Sequence, residues 1–245
     1  MSHCVTISGH SRGLGLALTR QFLAAGWHVL GISRKKIAEH PGLQQASIDL
    51  SDTAALTAWL SQPTLSEWLA PAEVAMLINN AGQVTPIATG GRSDPADLAR
   101  AVSLNVSAPL ILTDAFLKAN PYCQDRRVVH ISSGAARNAY AGWGTYCASK
   151  AALDHHARCL AAEINAGLHA GLRVGSIAPG VIDTDMQADV RSSDEADFPS
   201  RSRFVDLKVS GALSSAESVA GKLQRYVCSD AFGSDITPDL RSISI

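Results

Sequence analysis

Short apolar runs rich in β-branched residues alternate along this chain with Ala- and Leu-rich stretches of helical period, and few architectures accept that rhythm. The runs are Val5 to Ser8, His28 to Ile32, Ala46 to Ile48, Val74 to Ile78, Val128 to Ile131 and Arg173 to Ile177. The helical stretches include Leu14 to Ala25, Asp52 to Leu60, Asp97 to Lys118 and Tyr146 to Ala166. Parallel strands need a crossover between them, so strict alternation predicts an α/β fold, a doubly wound parallel sheet with helices on both faces. No repeat, low-complexity tract or Gly/Ser linker divides the pattern, which predicts a single domain over 1–245. Asp185 to Gly211 departs from it, mixing charges, serines, Pro199 and two phenylalanines without a clear period. Such a segment is expected to be a substrate-covering lid, a binding loop or a set of short helices.

Charge and composition exclude several function classes. Twenty-one basic and 22 acidic residues leave a net charge of −1, which offers no field for nucleic acid or anionic lipid. The start, Met1-Ser2-His3-Cys4-Val5-Thr6-Ile7, has no basic leader region, and no run of about 18 apolar residues occurs, so no membrane segment is expected. Five cysteines with no CxxC pair argue against a disulfide framework or a zinc knuckle. A soluble, cytoplasmic chain without a metal is the expectation.

Ser8-Gly9-His10-Ser11-Arg12-Gly13-Leu14-Gly15 leaves the first strand and opens a helix. Gly9 suits the tight turn, Gly13 lets backbone amides approach a pyrophosphate, and Gly15 permits close packing against the helix, whose N-terminus favours an anion. In the first βα unit this predicts a dinucleotide site of the Rossmann type, although a plain tight turn would need similar glycines. Gly-x-x-x-Gly-x-Gly lacks the lysine of a triphosphate loop. The end of the second strand should lie beside the adenosine ribose, and it reads Ser33-Arg34-Lys35-Lys36 with no acid. With Arg12 nearby, these cations favour a 2′-phosphate and predict NADP(H); the plain alternative is a solvated basic surface.

Tyr146 and Lys150 stand at i and i+4, on one face of a helix, and Ser133 lies just past the strand Val128 to Ser132. With these positions assembled, the chain resembles the short-chain dehydrogenase/reductase family in its branch of roughly 250 residues, over nearly its whole length. Ser8-Gly9 with Ser11, Arg12, Gly13, Leu14 and Gly15 is similar to the family's cofactor loop, and Ser33-Arg34 follows it as the ribose-side element. Asp49-Leu50 resembles the adenine-contacting pair, and Asn79-Asn80-Ala81-Gly82 the signature after the fourth strand. Asn105 matches the active-site asparagine; Ser133, Tyr146 and Lys150 match the catalytic serine, tyrosine and lysine. Pro179-Gly180-Val181 with Thr184 resembles the nicotinamide-side motif.

The resemblance implies hydride transfer from NADPH to a carbonyl, with Tyr146 as proton donor. A free phenol has a pKa of about 10, and an ammonium about 4 Å away is worth on the order of 4 kcal/mol at an effective dielectric of 20, so Lys150 is expected to lower it. Ser133 would donate to the carbonyl oxygen. Lys150 would also hold the nicotinamide ribose, and Asn105 would fix a water that resupplies the proton. Pro179 to Gln187, with Gly211-Ala212-Leu213-Ser214, looks most like the sepiapterin reductase and benzil reductase group, which implies a ketone, vicinal dicarbonyl or pterin-like substrate. A dehydrogenase of sugars, steroids or 3-oxoacyl groups, and a non-catalytic NADP(H) sensor, are the alternatives. The family implies a homodimer or homotetramer, but Phe232 to Pro238 is not followed by the usual Val-Asp-Gly-Gly ending.

Other residues read more plainly. His155 and His156, without a third ligand at metal spacing, are expected on a helix surface or interface. Cys147 is expected to pack. Trp143 and Tyr140 either line a substrate pocket or serve packing alone.

Overall fold

The computed structural model describes residues 2–244. Six parallel strands form one sheet in the order β3-β2-β1-β4-β5-β6: β1 (His3–Ser8), β2 (His28–Ser33), β3 (Leu43–Ser47), β4 (Val74–Asn79), β5 (Asp125–Ile131) and β6 (Leu172–Ile177). The order reverses between β1 and β4, where His3 pairs with Val74 and Ile7 with Ile78. In an open α/β sheet that reversal opens a crevice at the strands' C-terminal ends.

Helices α1 (Gly13–Ala24), α2 (Thr53–Leu60), α3 (Thr64–Leu69), α4 (Pro95–Val102), α5 (Ala108–Ala119), α6 (Gly144–Asn165), α7 (Asp185–Ser192), α8 (Arg201–Val209) and α9 (Ala216–Cys228) complete the chain order. Alternate strand residues serve opposite layers. Val5, Ile7, Met76 and Ile78 pack with Leu18 and Phe22 of α1 and Leu223 of α9. Cys4, Ala75 and Leu77 pack with Leu56 of α2, Leu69 of α3, Phe116 of α5 and Leu160 of α6. The central strands bury both faces, as doubly covered parallel strands must.

Asp52 caps α2 by accepting from the amides of Ala54 and Ala55 at 3.0 Å, and Asp94 caps α4 through the Ala96 amide at 2.7 Å, ahead of Pro95. The stretch expected as one helix from Asp97 to Lys118 is α4 and α5 joined by a π-helical turn, Ser103–Ser107. Asp185 to Gly211 folds into the two short helices α7 and α8. Beyond α9 the tail runs beside β6: the Ser176 amide donates to the Ile236 carbonyl at 2.7 Å and the Ala178 amide to that of Pro238 at 3.0 Å. The two segments meet in an isolated parallel bridge between Ala178 and Asp239.

Candidate active site

The crevice is closed on one side by the glycine loop. Gly9 turns with φ of 70°, and a β-carbon on Gly15 would stand 2.0 Å from the Gly9 carbonyl oxygen. The Ser8 hydroxyl accepts from the amides of Asn80 and Ala81, each at 3.0 Å, while the Asn80 side chain donates back to the carbonyls of Ser8 at 3.0 Å and Gly9 at 3.3 Å. The two loops expected around the cofactor are thus bound to each other. Arg12, in extended conformation, precedes α1 without a side-chain cap, so the first-turn amides beside Gly13 and Leu14 carry no side-chain acceptor. Such an N-terminus suits an anion.

His10 is a feature that the sequence reading passed over. Its ring is wholly buried across Gly31 of β2, where a β-carbon would come within 2.3 Å of it. His10 Nε2 lies 2.8 Å from Gln45 Oε1, and the same oxygen accepts from the Ile37 amide at 2.8 Å. Gln45 Nε2 returns a bond to the Ile37 carbonyl at 3.1 Å, which orients the amide and makes His10 Nε2 the donor. With Ser33 Oγ donating to the Lys35 carbonyl and Ser47 Oγ to that of Arg34, this holds the 33–37 loop against the glycine loop. Arg12 pairs with Asp185 at 3.2 Å, both largely exposed. Asp49 pairs with Arg100 at 3.3 Å, and hydrogen bonds from Ser51, ahead of Arg34 and Arg100, hold its carboxyl below the usual range against the opposing effect of burial. Leu50 is buried in the core beside it.

Opposite stands the triad. Ser133 caps the short 3-10 turn Gly134–Ala136, its hydroxyl accepting from the Ala135 amide at 3.1 Å. Tyr146 and Lys150 occupy one face of α6 and both are buried, the Lys150 nitrogen 5.8 Å from the phenol ring centre. Burial pushes the Tyr146 phenol above its ordinary value, a hydrogen bond with Ser133 pulls it back, and Cys147 pushes it further. The phenol therefore lies above its ordinary value, not below it as expected from Lys150. Lys150 donates to the Ile131 carbonyl at 2.8 Å, and burial brings it down to about 8, with Asp154 opposing.

Asn105 lies on the π-helical turn, a distortion frequent at functional sites that no residue pattern announced. Its Oδ1 accepts from the Gln83 amide at 2.9 Å and its Nδ2 donates to the Gln83 carbonyl at 2.8 Å, so both ends of the side chain hold the backbone after Gly82. A β-carbon on Gly82 would sit 3.2 Å from Asn105 Oδ1 and 3.6 Å from Lys150 Nζ, so the signature loop passes between the two. Pro179, Gly180 and Val181 lead from β6 toward Thr184, which begins α7 with its methyl over Gly13.

Beside Tyr146 lies an aromatic cluster, to which the segment expected to cover the substrate contributes Phe198 and Phe204. Trp143 stacks on Phe198 with centres 4.5 Å apart, meets Phe204 at 5.1 Å and Tyr140 at 5.3 Å, and presents its edge to Tyr146 at 5.4 Å. Val84, Val190 and Ala135 complete a third apolar cluster, apart from the two sheet layers. Trp143 therefore packs, and its ring also touches that of Tyr146. His156, expected on a helix surface or interface, is half-buried: its Nδ1 lies 3.1 Å from Nε2 of the wholly buried His130, whose Nδ1 meets Asn79 at 3.1 Å. Among the described residues no group of acidic, histidine and cysteine side chains is placed to hold a metal, and no helix is long and apolar enough to cross a membrane.

Residues 3–195 match the family model of short chain dehydrogenases. The benzil reductase, (S)-benzoin forming, of Bacillus subtilis (strain 168) is 39% identical over 219 residues, covering 89% of this chain and 90% of that one. The sepiapterin reductase of Meriones unguiculatus is 35% identical over 250 residues, covering 94% and 93%. A solved short-chain dehydrogenase/reductase from Burkholderia vietnamiensis is 40% identical, covers 99% of this chain and 100% of its own, and superposes with a TM-score of 0.69. Fold and comparisons together make this chain a member of the short-chain dehydrogenase/reductase family, oxidoreductases that work with a nicotinamide cofactor.

Proposed function

We propose that the chain is an NADPH-dependent carbonyl reductase acting on ketones or vicinal dicarbonyls that carry an apolar, aromatic group. The observation that carries this reading is the buried pair of Tyr146 and Lys150 on one face of α6, with Ser133 close enough to act on the phenol and the ring of Trp143 against it in the apolar cluster that holds Phe198 and Phe204. Benzil reductases at 35–39% identity add support, since benzil is a diketone between two aromatic rings.

The residues fit a dinucleotide. The uncapped start of α1 and the side-chain-free cradle of Gly9, Gly13 and Gly15 would take the pyrophosphate, with Ser11 and Leu14 beside it. Ser33, Arg34 and Arg12 would face a 2′-phosphate, Asp49 and Leu50 the adenine, and Asn80, Ala81 and Gly82 the chain between the riboses. Pro179, Gly180, Val181 and Thr184 would line the nicotinamide side. Bound there, the nicotinamide supplies a hydride. A phenol held above its ordinary value is protonated at neutral pH, the state a donor needs. Tyr146 gives that proton to the carbonyl oxygen, Ser133 bonds the same oxygen, and the Lys150 ammonium stabilises the phenolate left behind. Helices α7 and α8 cover the substrate.

NADPH oxidation against benzil and sepiapterin tests the reading. Tyr146→Phe is expected to keep NADPH affinity within about twofold and lose about 10²–10⁴-fold in kcat. NADPH should bind at least about tenfold tighter than NADH, which is about 1.4 kcal/mol for the phosphate contacts. Near-normal turnover of Tyr146→Phe overturns the proton donor, and equal affinities overturn the NADP preference.

A further inference from the structure

Asp154 follows Lys150 by four residues and Tyr146 by eight on α6, so all three share a face. Its carboxylate is 2% exposed. One oxygen accepts from Ser132 Oγ at 2.6 Å and from Ser176 Oγ at 2.7 Å; the other accepts from Arg137 Nε at 3.2 Å. Ser132 continues β5 by donating its amide to Ile177 at 2.8 Å, Ser176 belongs to β6, and Arg137 ends the short turn that Ser133 begins. One side chain therefore ties α6 to both strand ends and to both flanks of Ser133.

A buried carboxylate is costly unless it is bonded and offset by positive charge, and two neutral hydroxyls with a single guanidinium leave a good part of its field free. We propose that Asp154 is the positioning residue of this site: its carboxylate holds the strand end bearing Ser133 to α6 and supplies the negative charge that faces the Lys150 ammonium, with Arg137 setting how much of that charge is felt. The proposal rests on the proton-donor reading of Tyr146.

The other groups around the pair come from each packed element. β5 contributes the Ile131 carbonyl and His130, which burial, then His156 and Lys150, bring down to about 3, so it is neutral at working pH. β6 contributes only the Ser176 hydroxyl, the π turn the uncharged Asn105, and α6 itself Tyr146 and Cys147. On the tail, Asp239 feels Arg137 and is paired with Arg241. Asp154 is thus the anion facing Lys150 from its own helix, and Asp154 is the influence that works against burial in keeping Lys150 charged.

The sign of the test follows from charge alone. Whichever of Tyr146 and Lys150 holds the last proton, removing an anion beside it lets that proton leave at lower pH, and removing a cation makes it leave at higher pH. The alkaline limb of kcat/KM for benzil reduction is therefore expected about one pH unit lower in Asp154→Asn. In Arg137→Gln it is expected about half a unit higher, and in Arg137→Lys restored. A role in packing alone would lower activity in both without moving the limb in opposite directions. Should Asp154→Asn fail to fold, the Arg137→Gln and Arg137→Lys pair decides. A limb that coincides with the parent in Arg137→Gln, or limbs that move the same way in Asp154→Asn and Arg137→Gln, overturn the role of Asp154. A Tyr146→Phe enzyme that still turns over benzil would instead overturn the underlying reading.

Discussion

Two walls face each other across the crevice, and they are made of different material. The cofactor wall is backbone against backbone: Gly15 against the Gly9 carbonyl, and Ser8 and Asn80 exchanging bonds with each other's loops. The cover wall is ring against ring, with Trp143 at the centre of Phe198, Phe204, Tyr140 and Tyr146. Backbone cannot be repacked, so the first wall keeps one shape. Rings exchange volume with neighbours at modest cost, so the second can be reshaped for different carbonyls while the first stays unchanged. Arg12 and Asp185 bridge the two walls at 3.2 Å, but an exposed pair of this kind is worth about 1 kcal/mol or less and leaves them largely independent.

The largest effect on cofactor affinity is expected at Gly15. In Gly15→Ala the new carbon would lie 2.0 Å from a carbonyl oxygen and 2.6 Å from the Asn80 amide, so the glycine loop itself must move. Overpacking of this kind costs about 3 kcal/mol, and the displaced amides should weaken NADPH at least about 100-fold. Urea unfolding and a fluorescence titration read the two. Unchanged affinity would break the distinction, since it would mean that the cofactor wall can relax as the cover does.

Gly142 carries the same construction into the cover. It sits at φ 86°, and a β-carbon there would meet the Asp197 carbonyl at 2.0 Å, just before Phe198. Gly142→Ala is expected to unseat α7 and α8 while leaving β1, β4 and the glycine loop intact. Turnover of benzil should fall about tenfold or more, with NADPH affinity within about twofold. Proteolysis between 185 and 211 should also quicken. A parallel fall in NADPH affinity would show that the walls move as one.

The same contrast explains what the sequence made legible. Four of the six strands lie within two residues of the runs read from apolar, β-branched pattern, because both faces of each are buried and the signal is continuous, whereas β5 starts three residues earlier than read, where Asp125, Arg126 and Arg127 carry no apolar signal. β3 is read late, at Ala46 to Ile48 rather than Leu43–Ser47, since it is a half-exposed edge whose Gln44 and Gln45 carry no such signal. The glycine loop and the Tyr146–Lys150 spacing are backbone and helix geometry, which spacing encodes. The cover is not: Val190, Phe198 and Phe204 converge from three segments, so no one of them shows a period. Asp154 carries no signal in the sequence, because its partners, Ser132, Ser176 and Arg137, are 17 to 22 residues away. His10 looks like an ordinary loop residue until the missing side chain of Gly31 is seen beneath it.

The smallest effect sharpens the comparison by reversing its sign. Gly144 opens α6 at the edge of the cover, two residues from Gly142, and a β-carbon there meets nothing within 4 Å. No positive φ is required of it. Alanine restricts the unfolded chain and favours the helix, so Gly144→Ala should stabilise the protein by about 0.5 kcal/mol, a shift of about 1–2 °C in Tm at this size. Turnover should stay within about twofold, because Trp143 already fixes the entry to α6 through its stack on Phe198. If Gly144→Ala instead destabilises the protein or slows turnover as Gly142→Ala does, the start of α6 must flex when the cover seats. The ring wall would then depend on backbone freedom, as the glycine wall does.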